Sequence, residues 1–174
     1  MSSSLPKRQH AVESASEPLP WTPAGEAFTT VLTQVIRLLH DFTAAGEALA
    51  KPTGQTLARW LVLETIQQEP ATVAEIARRL GLARQSVQRV ADVLVRGGDA
   101  VYEENPAHRR AKLLRVTACG HTALRAIQTA QRAWSDALGT TVGEAELRRA
   151  SIVLDGVLAA LGSRSPDEFT KAGG

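Results

Sequence analysis

The chain of 174 residues has one cysteine, three phenylalanines, one tyrosine and three tryptophans, and its net charge is only +2. A single cysteine, Cys119, excludes an intrachain disulfide framework and fits a reducing compartment. No apolar run approaches the roughly 18–20 residues of a membrane span, and no signal-peptide core follows Met1. These absences lead us to expect a soluble, cytoplasmic protein with no membrane association. There is no glycine-rich phosphate loop, no nucleophile elbow, and no carboxylate pair or His/Cys set at catalytic spacing. With four histidines, of which His10 and His108 fall in segments read below as an arm and a loop, an enzyme is not expected. No cofactor is expected either.

What is present is concentrated between Thr72 and Val116. Thr72 precedes Glu75 by three residues, a capping box that satisfies the first orphan amides of a helix. Val73, Ile76, Ala77 and Leu80 follow at helical spacing, and Gly81 can take the left-handed conformation that ends the helix. A short turn leads to a second helix from Arg84, with Val87, Val90, Ala91 and Leu94 on one face. Gln85, Gln88, Arg89, Asp92 and Arg96 project from the other. Strand-like segments at 100–104 and 111–116 then flank the loop Asn105-Pro106-Ala107-His108-Arg109-Arg110.

Helix, turn, helix and basic-tipped hairpin make a winged helix-turn-helix, and its expected partner is duplex DNA. Glutamine can bond an adenine edge bidentately and arginine a guanine edge, so Gln85, Gln88 and Arg89 are the candidate base readers in the major groove. Arg84 and Ser86, at the helix start, suit phosphate. Arg109 and Arg110 suit the negative potential of a minor groove, with Thr72 and Lys112 as further backbone contacts. Residues 72–116 carry nine Lys/Arg against five Asp/Glu, whereas the remainder has an acidic excess. That is the charge distribution a phosphate-binding face requires.

The rest of the chain reads as helical, giving a mainly α fold with a small β wing. Residues 1–23 hold four of the eight prolines and read as a flexible arm, and 163–174 as a flexible tail, around a single domain at 24–162. Within it, 24–50 places Phe28, Val31, Leu32, Val35, Leu38, Leu39, Phe42 and Leu49 near one helical face. A helix at 55–68 with Leu57, Trp60, Leu61 and Ile66 completes a DNA-binding lobe at 55–116. Thr117 caps a helix to about Leu138, and Thr141 with Glu144 suggests a second capping box opening the last helix. There Leu147, Ala150, Leu154, Val157 and Leu161 form a seam that asks for a partner helix. Helices at 24–50 and 117–162 are therefore expected to dimerise the chain, setting two reading helices on an inverted repeat.

Over 72–120 the sequence resembles the MarR family, the multiple-antibiotic-resistance regulators, and more loosely so over 46–161. In that family an acidic residue, a variable residue and an arginine precede the second wing strand, and Leu-Thr-x-x-Gly leads into the next helix. The corresponding residues here are His108, Arg109 and Arg110, then Val116-Thr117-Ala118-Cys119-Gly120, so that Arg110 matches the minor-groove arginine. Ala83 stands where relatives place a Thr or Ser cap, which weakens capping by about 1 kcal/mol. His108 replaces the aspartate that would orient the wing arginine, and Asp99 replaces an apolar residue.

The resemblance implies a ligand-responsive repressor that binds its operator as a homodimer and takes a small aromatic or phenolic effector between the dimerisation helices and the lobe. His40 and Trp60 are candidate wall residues of such a pocket, with exposed-helix and core roles as their respective alternatives. Cys119, near a helix start, raises a redox alternative. A metal site from Cys119, His121 and His108 lacks regular ligand spacing, and none is expected. The rival to DNA reading is a winged-helix protein-interaction module whose basic face meets an acidic protein.

Overall fold

The computed structural model describes residues 21–108 and 110–162. The arm expected at 1–23 lies outside these except for its last residues, and the 163–174 tail lies outside entirely, as does Arg109. Helix α1 spans Pro23–Ala50 and is followed by a single 3-10 turn, Lys51–Thr53. Then come α2 (Leu57–Thr65), β1 (Ala71–Thr72), α3 (Val73–Leu80), α4 (Arg84–Arg96), β2 (Ala100–Glu103), β3 (Leu113–Val116), α5 (Ala118–Val142) and α6 (Glu144–Gly162). The chain divides into two compact units, one up to Phe42 and one from Thr43 onward.

In the first unit, Thr22 starts α1: its Oγ1 accepts from the Gly25 amide at 3.1 Å, and Glu26 sits in the first turn, where the positive helix end favours a carboxylate. Phe28, Leu32, Val35, Ile36, Leu38, Leu39 and Phe42 are all exposed. So is His40, the candidate pocket residue.

The second unit is built on a continuous apolar core. Leu63 and Ile66 from α2 and its end, Ile76 from α3, Val87, Ala91 and Leu94 from α4, Leu114 and Val116 from β3, and Leu124 and Ile127 from α5 are all fully buried. The face expected on α4 is the one that packs, because residues three and four apart share a side of the helix. In α2 the expectation shifts: Leu61 is exposed, and Val62 and Leu63 are buried in its place. The helix also closes at Thr65 rather than Gln68, because Ile66 and Gln67 turn tightly onto the carbonyls of Leu63 and Glu64.

The sheet has three antiparallel strands in the order β1-β3-β2, one more than the hairpin predicts. Ala71 pairs with Leu114 and Thr72 with Leu113, while Tyr102 lies opposite Leu114 on the other side. The two-residue β1 has too little periodicity to be seen in sequence; its pairing ties the start of α3 to the wing.

Helix α5 runs to Val142 rather than Leu138, and no capping box forms at Thr141. The Thr141 hydroxyl donates back to Ala137 O at 2.9 Å, so it serves the helix it was expected to precede. The break falls instead at Gly143, and α6 begins with Glu144. No residue of α6 is buried. Among the described residues, no helix is long and apolar enough to cross a membrane.

Candidate nucleic-acid interface

The interface is assembled from α3, α4 and the β2–β3 wing. Helix α3 opens with the expected capping box. The Thr72 amide and hydroxyl each donate to Glu75 Oε2 at 2.8 Å, and the Glu75 amide donates to Thr72 Oγ1 at 3.3 Å. Those bonds hold the Glu75 carboxyl below its ordinary value, the Thr72 backbone bond first and its hydroxyl second. The Thr72 hydroxyl proton is thus used within the cap, and a phosphate approaching this residue would compete with Glu75 for it. Gly81 ends α3 at φ 65°, a conformation that glycine adopts without a Cβ penalty.

Ala83 supplies no side-chain cap to α4, as its identity implies. Arg84, Gln85 and Arg89 are exposed on the first two turns; Ser86 and Gln88 are half-buried. Ser86 Oγ accepts from Arg89 Nη2 at 3.3 Å, an arrangement that steers the guanidinium along the helix surface. Two shallow hollows meet at Arg84 and Gln88. One is lined only by Arg84, Gln85, Gln88 and Arg89. The other lies between α3, α4 and the wing, and adds Thr72, Val73, Ala74, Tyr102, Arg110, Ala111 and Lys112. The structure thus brings Thr72, Arg84, Gln88, Arg110 and Lys112, residues 40 positions apart at the extremes, around one concavity with three cationic side chains.

The wing loop carries its own turn chemistry: Asn105 Oδ1 accepts from the Ala107 amide at 3.0 Å, and the His108 amide donates to Asn105 O at 3.1 Å. His108 is exposed. At the strands, Arg115 donates through Nε to Glu103 Oε1 at 2.7 Å, which lowers the Glu103 carboxyl and raises the guanidinium. Both groups are open to water, so the pair adds little stability.

Sequence reasoning left three residues without a role that the structure supplies. Tyr102 Oη accepts from Gln88 Nε2 at 2.7 Å and donates to Asp92 Oδ1 at 3.0 Å, while Gln88 Nε2 also donates to Asp92 Oδ1 at 2.9 Å. Gln88 is therefore tied, not free as its place on the solvent face suggested. The Gln88–Asp92 spacing of four residues was the only available signal; the partner on β2 is not local. Burial first and the Asp92 carboxylate second push the Tyr102 phenol up to about 12. The hydroxyl stays protonated and remains a donor.

Asp99 has a comparable explanation. Its Oδ2 accepts from Gln55 Nε2 at 2.8 Å, and its carbonyl accepts from the Thr117 amide at 3.0 Å. It also holds the Cys119 thiol above its ordinary value through a hydrogen bond. That direction opposes the lowered pKa a redox-reactive cysteine at a helix start needs. Among the described residues, no three His, Cys, Asp or Glu side chains converge as a metal site. Trp60 is buried in the core, with its indole N–H on Glu64 Oε2 at 3.1 Å.

Three helices, a three-stranded sheet and an exposed cationic second helix define a winged helix-turn-helix protein. A MarR family model matches residues 53–111. An uncharacterized protein of Mycobacterium tuberculosis is 35% identical over 136 residues, covering 78% of this chain and 95% of the relative. The fold is similar to that of Staphylococcus aureus MarR in complex with salicylate and kanamycin, at TM-score 0.72 and 15% identity over 80% of this chain and 95% of that one. It is also similar to a mutant Escherichia coli MarR complexed with operator DNA, at TM-score 0.63 and 22% identity over 73% and 95%. The chain belongs to the MarR family and has the winged-helix fold of its transcriptional regulators.

Proposed function

We propose that this chain is a sequence-specific double-stranded DNA-binding transcriptional repressor that acts as a homodimer on an inverted-repeat operator. The observation that carries the reading is the shared concavity at the start of α4, where Arg84, Arg110 and Lys112 surround Gln88. A helix start flanked by cations fits a major groove with phosphates on either side. In this reading Gln85, Gln88 and Arg89 meet base edges, and Arg84, Ser86 and Lys112 meet backbone. Arg110, with Arg109 beside it in sequence, enters the minor groove.

The exposed apolar residues of α1 and of α6 support dimerisation, since large apolar side chains left open along a helix favour an interaction surface. The operator complex of the Escherichia coli protein supports the DNA partner. The salicylate complex of the Staphylococcus aureus protein supports a small aromatic or phenolic effector, which acts through different affinities for the DNA-competent and incompetent spacings.

The test is anisotropy binding to the promoter region beside the coding sequence, at about 150 mM salt with excess random duplex. Saturable, competitor-resistant binding at an inverted repeat is expected. Arg89→Ala should lose about 1–3 kcal/mol on the specific site and little on random duplex, and Arg110→Ala should weaken operator binding with a shallower salt slope. Equal losses on both duplexes would overturn the base-reading assignment and leave this face a sequence-independent phosphate contact.

A further inference from the structure

We propose that Tyr102 and Asp92 are positioning residues that make Gln88 read DNA as a hydrogen-bond acceptor only. The inference rests on the regulator reading given above and adds to it the kind of base edge this glutamine recognises. It follows from counting donors. A glutamine amide has two N–H groups and one carbonyl oxygen. Here the amide nitrogen has two acceptors, Asp92 Oδ1 at 2.9 Å and Tyr102 Oη at 2.7 Å, one for each N–H. Tyr102 closes the triangle by giving its own proton to the same carboxylate oxygen at 3.0 Å.

The amide cannot turn over at no cost, because a flipped carbonyl would face the carboxylate with no hydrogen between them. The three groups are half-buried, where such a mismatch is felt more strongly than in water. Oε1 has no hydrogen-bond partner among the described residues, and Gln88 lines a hollow with Arg84, Gln85 and Arg89.

Bidentate adenine recognition needs an acceptor for N6–H and a donor for N7 at once. Gln88 with both N–H groups engaged offers only the acceptor. That acceptor suits an exocyclic amine in the major groove, and both adenine N6 and cytosine N4 present one. Gln88 therefore accepts adenine or cytosine at its position and rejects guanine and thymine, which present acceptors there. Gln85, three residues earlier, makes no side-chain hydrogen bond among the described residues and keeps the full bidentate capacity. Two glutamines on one helix thus read by different rules.

The experiment is selection of a fully randomised duplex library by the full-length protein, with wild type, Gln88→Ala, Tyr102→Phe, Asp92→Ala and the double variant Gln88→Ala/Tyr102→Phe compared by sequencing of bound pools. Gln88→Ala should level one position of each half-site. At that position the wild type should enrich adenine and cytosine within about threefold of each other. Tyr102→Phe frees one N–H for adenine N7 and should raise adenine over cytosine by about tenfold, the size of a second good base contact. Asp92→Ala should shift the ratio the same way, which guards against a fold defect peculiar to one variant. In the Gln88→Ala background Tyr102→Phe should change nothing, an outcome that a merely structural tyrosine would not give.

The inference is overturned by strong wild-type preference for adenine over cytosine that Tyr102→Phe leaves unchanged, by a Tyr102→Phe shift of equal size without Gln88, or by a Gln88→Ala pool identical to wild type. In each of those cases specific DNA reading itself stands. A wild-type pool with no enriched sequence overturns the regulator reading, and this inference with it.

Discussion

Tyr102 is the only tyrosine in the chain, so its ionisation can be followed in the intact protein by tyrosinate absorbance. Its folded pKa is raised above the ordinary 10.0 to about 12, by burial and by Asp92. The phenol's contribution to stability is accordingly complete below pH 10 and is lost as pH rises through about 12. We expect a tyrosinate midpoint near 12 in the native protein, a lower one in Asp92→Asn, and the ordinary value in denaturant. A native midpoint at the ordinary value would mean that the ring is solvated and the triangle with Gln88 is open. The capping box at Thr72 and Glu75 was legible in the sequence because its partners lie three residues apart on one turn. The Gln88–Tyr102 bond, fourteen residues apart, and the Gln55–Asp99 bond, forty-four apart, were not, because only the closed sheet and packed helices bring those groups together.

At the scale of the element, α5 shows most clearly what local pattern can and cannot announce. Its start was legible: Thr117 caps the helix, accepting from the Gly120 amide at 3.2 Å, as the Thr-x-x-Gly spacing suggests. Its end was not, since a threonine inside a helix can satisfy its hydroxyl on the preceding turn, as Thr141 does, and then gives the same sequence signal as a cap. Gly120 has a packing reason that no propensity reveals. A Cβ there would run into the Asp99 carbonyl oxygen and press on Val116 Cγ1 at 2.8 Å. Backbone cannot yield as a flexible side chain does. Gly120→Ala should therefore destabilise by about 1–3 kcal/mol despite alanine's better helix propensity, whereas Gly139→Ala, with open space around it, should stabilise by up to about 1 kcal/mol. Urea midpoints of the two variants give the opposite signs directly. Two shifts of the same sign would remove the steric explanation.

For the whole molecule, the contrast is between a dense core from α2 to the first half of α5 and helices whose apolar side chains face outward. Leu154 is 41% exposed, Leu158 66% and Ile152 71%, and on α1 Leu39 is 67% exposed. The seam of leucines was legible in the sequence, and in the proposed dimer a second copy covers it. If a second copy covers it, the melting temperature rises with protein concentration. Leu154→Glu should then shift sedimentation equilibrium toward monomer by about a hundredfold or more in dissociation constant, since an uncompensated carboxylate in an apolar seam costs at least about 3 kcal/mol. An unchanged constant would remove α6 from the interface. The staples at the start of α5 carry a mechanical consequence. Thr117 donates its hydroxyl to Gly98 O at 2.6 Å and its amide to Asp99 O at 3.0 Å, and Gly120 closes against the same carbonyl. The start of α5 is thus fastened to the loop that closes α4, and in the proposed regulator a tilt of α5 would pass through that joint to α4 and so to the fit on the operator.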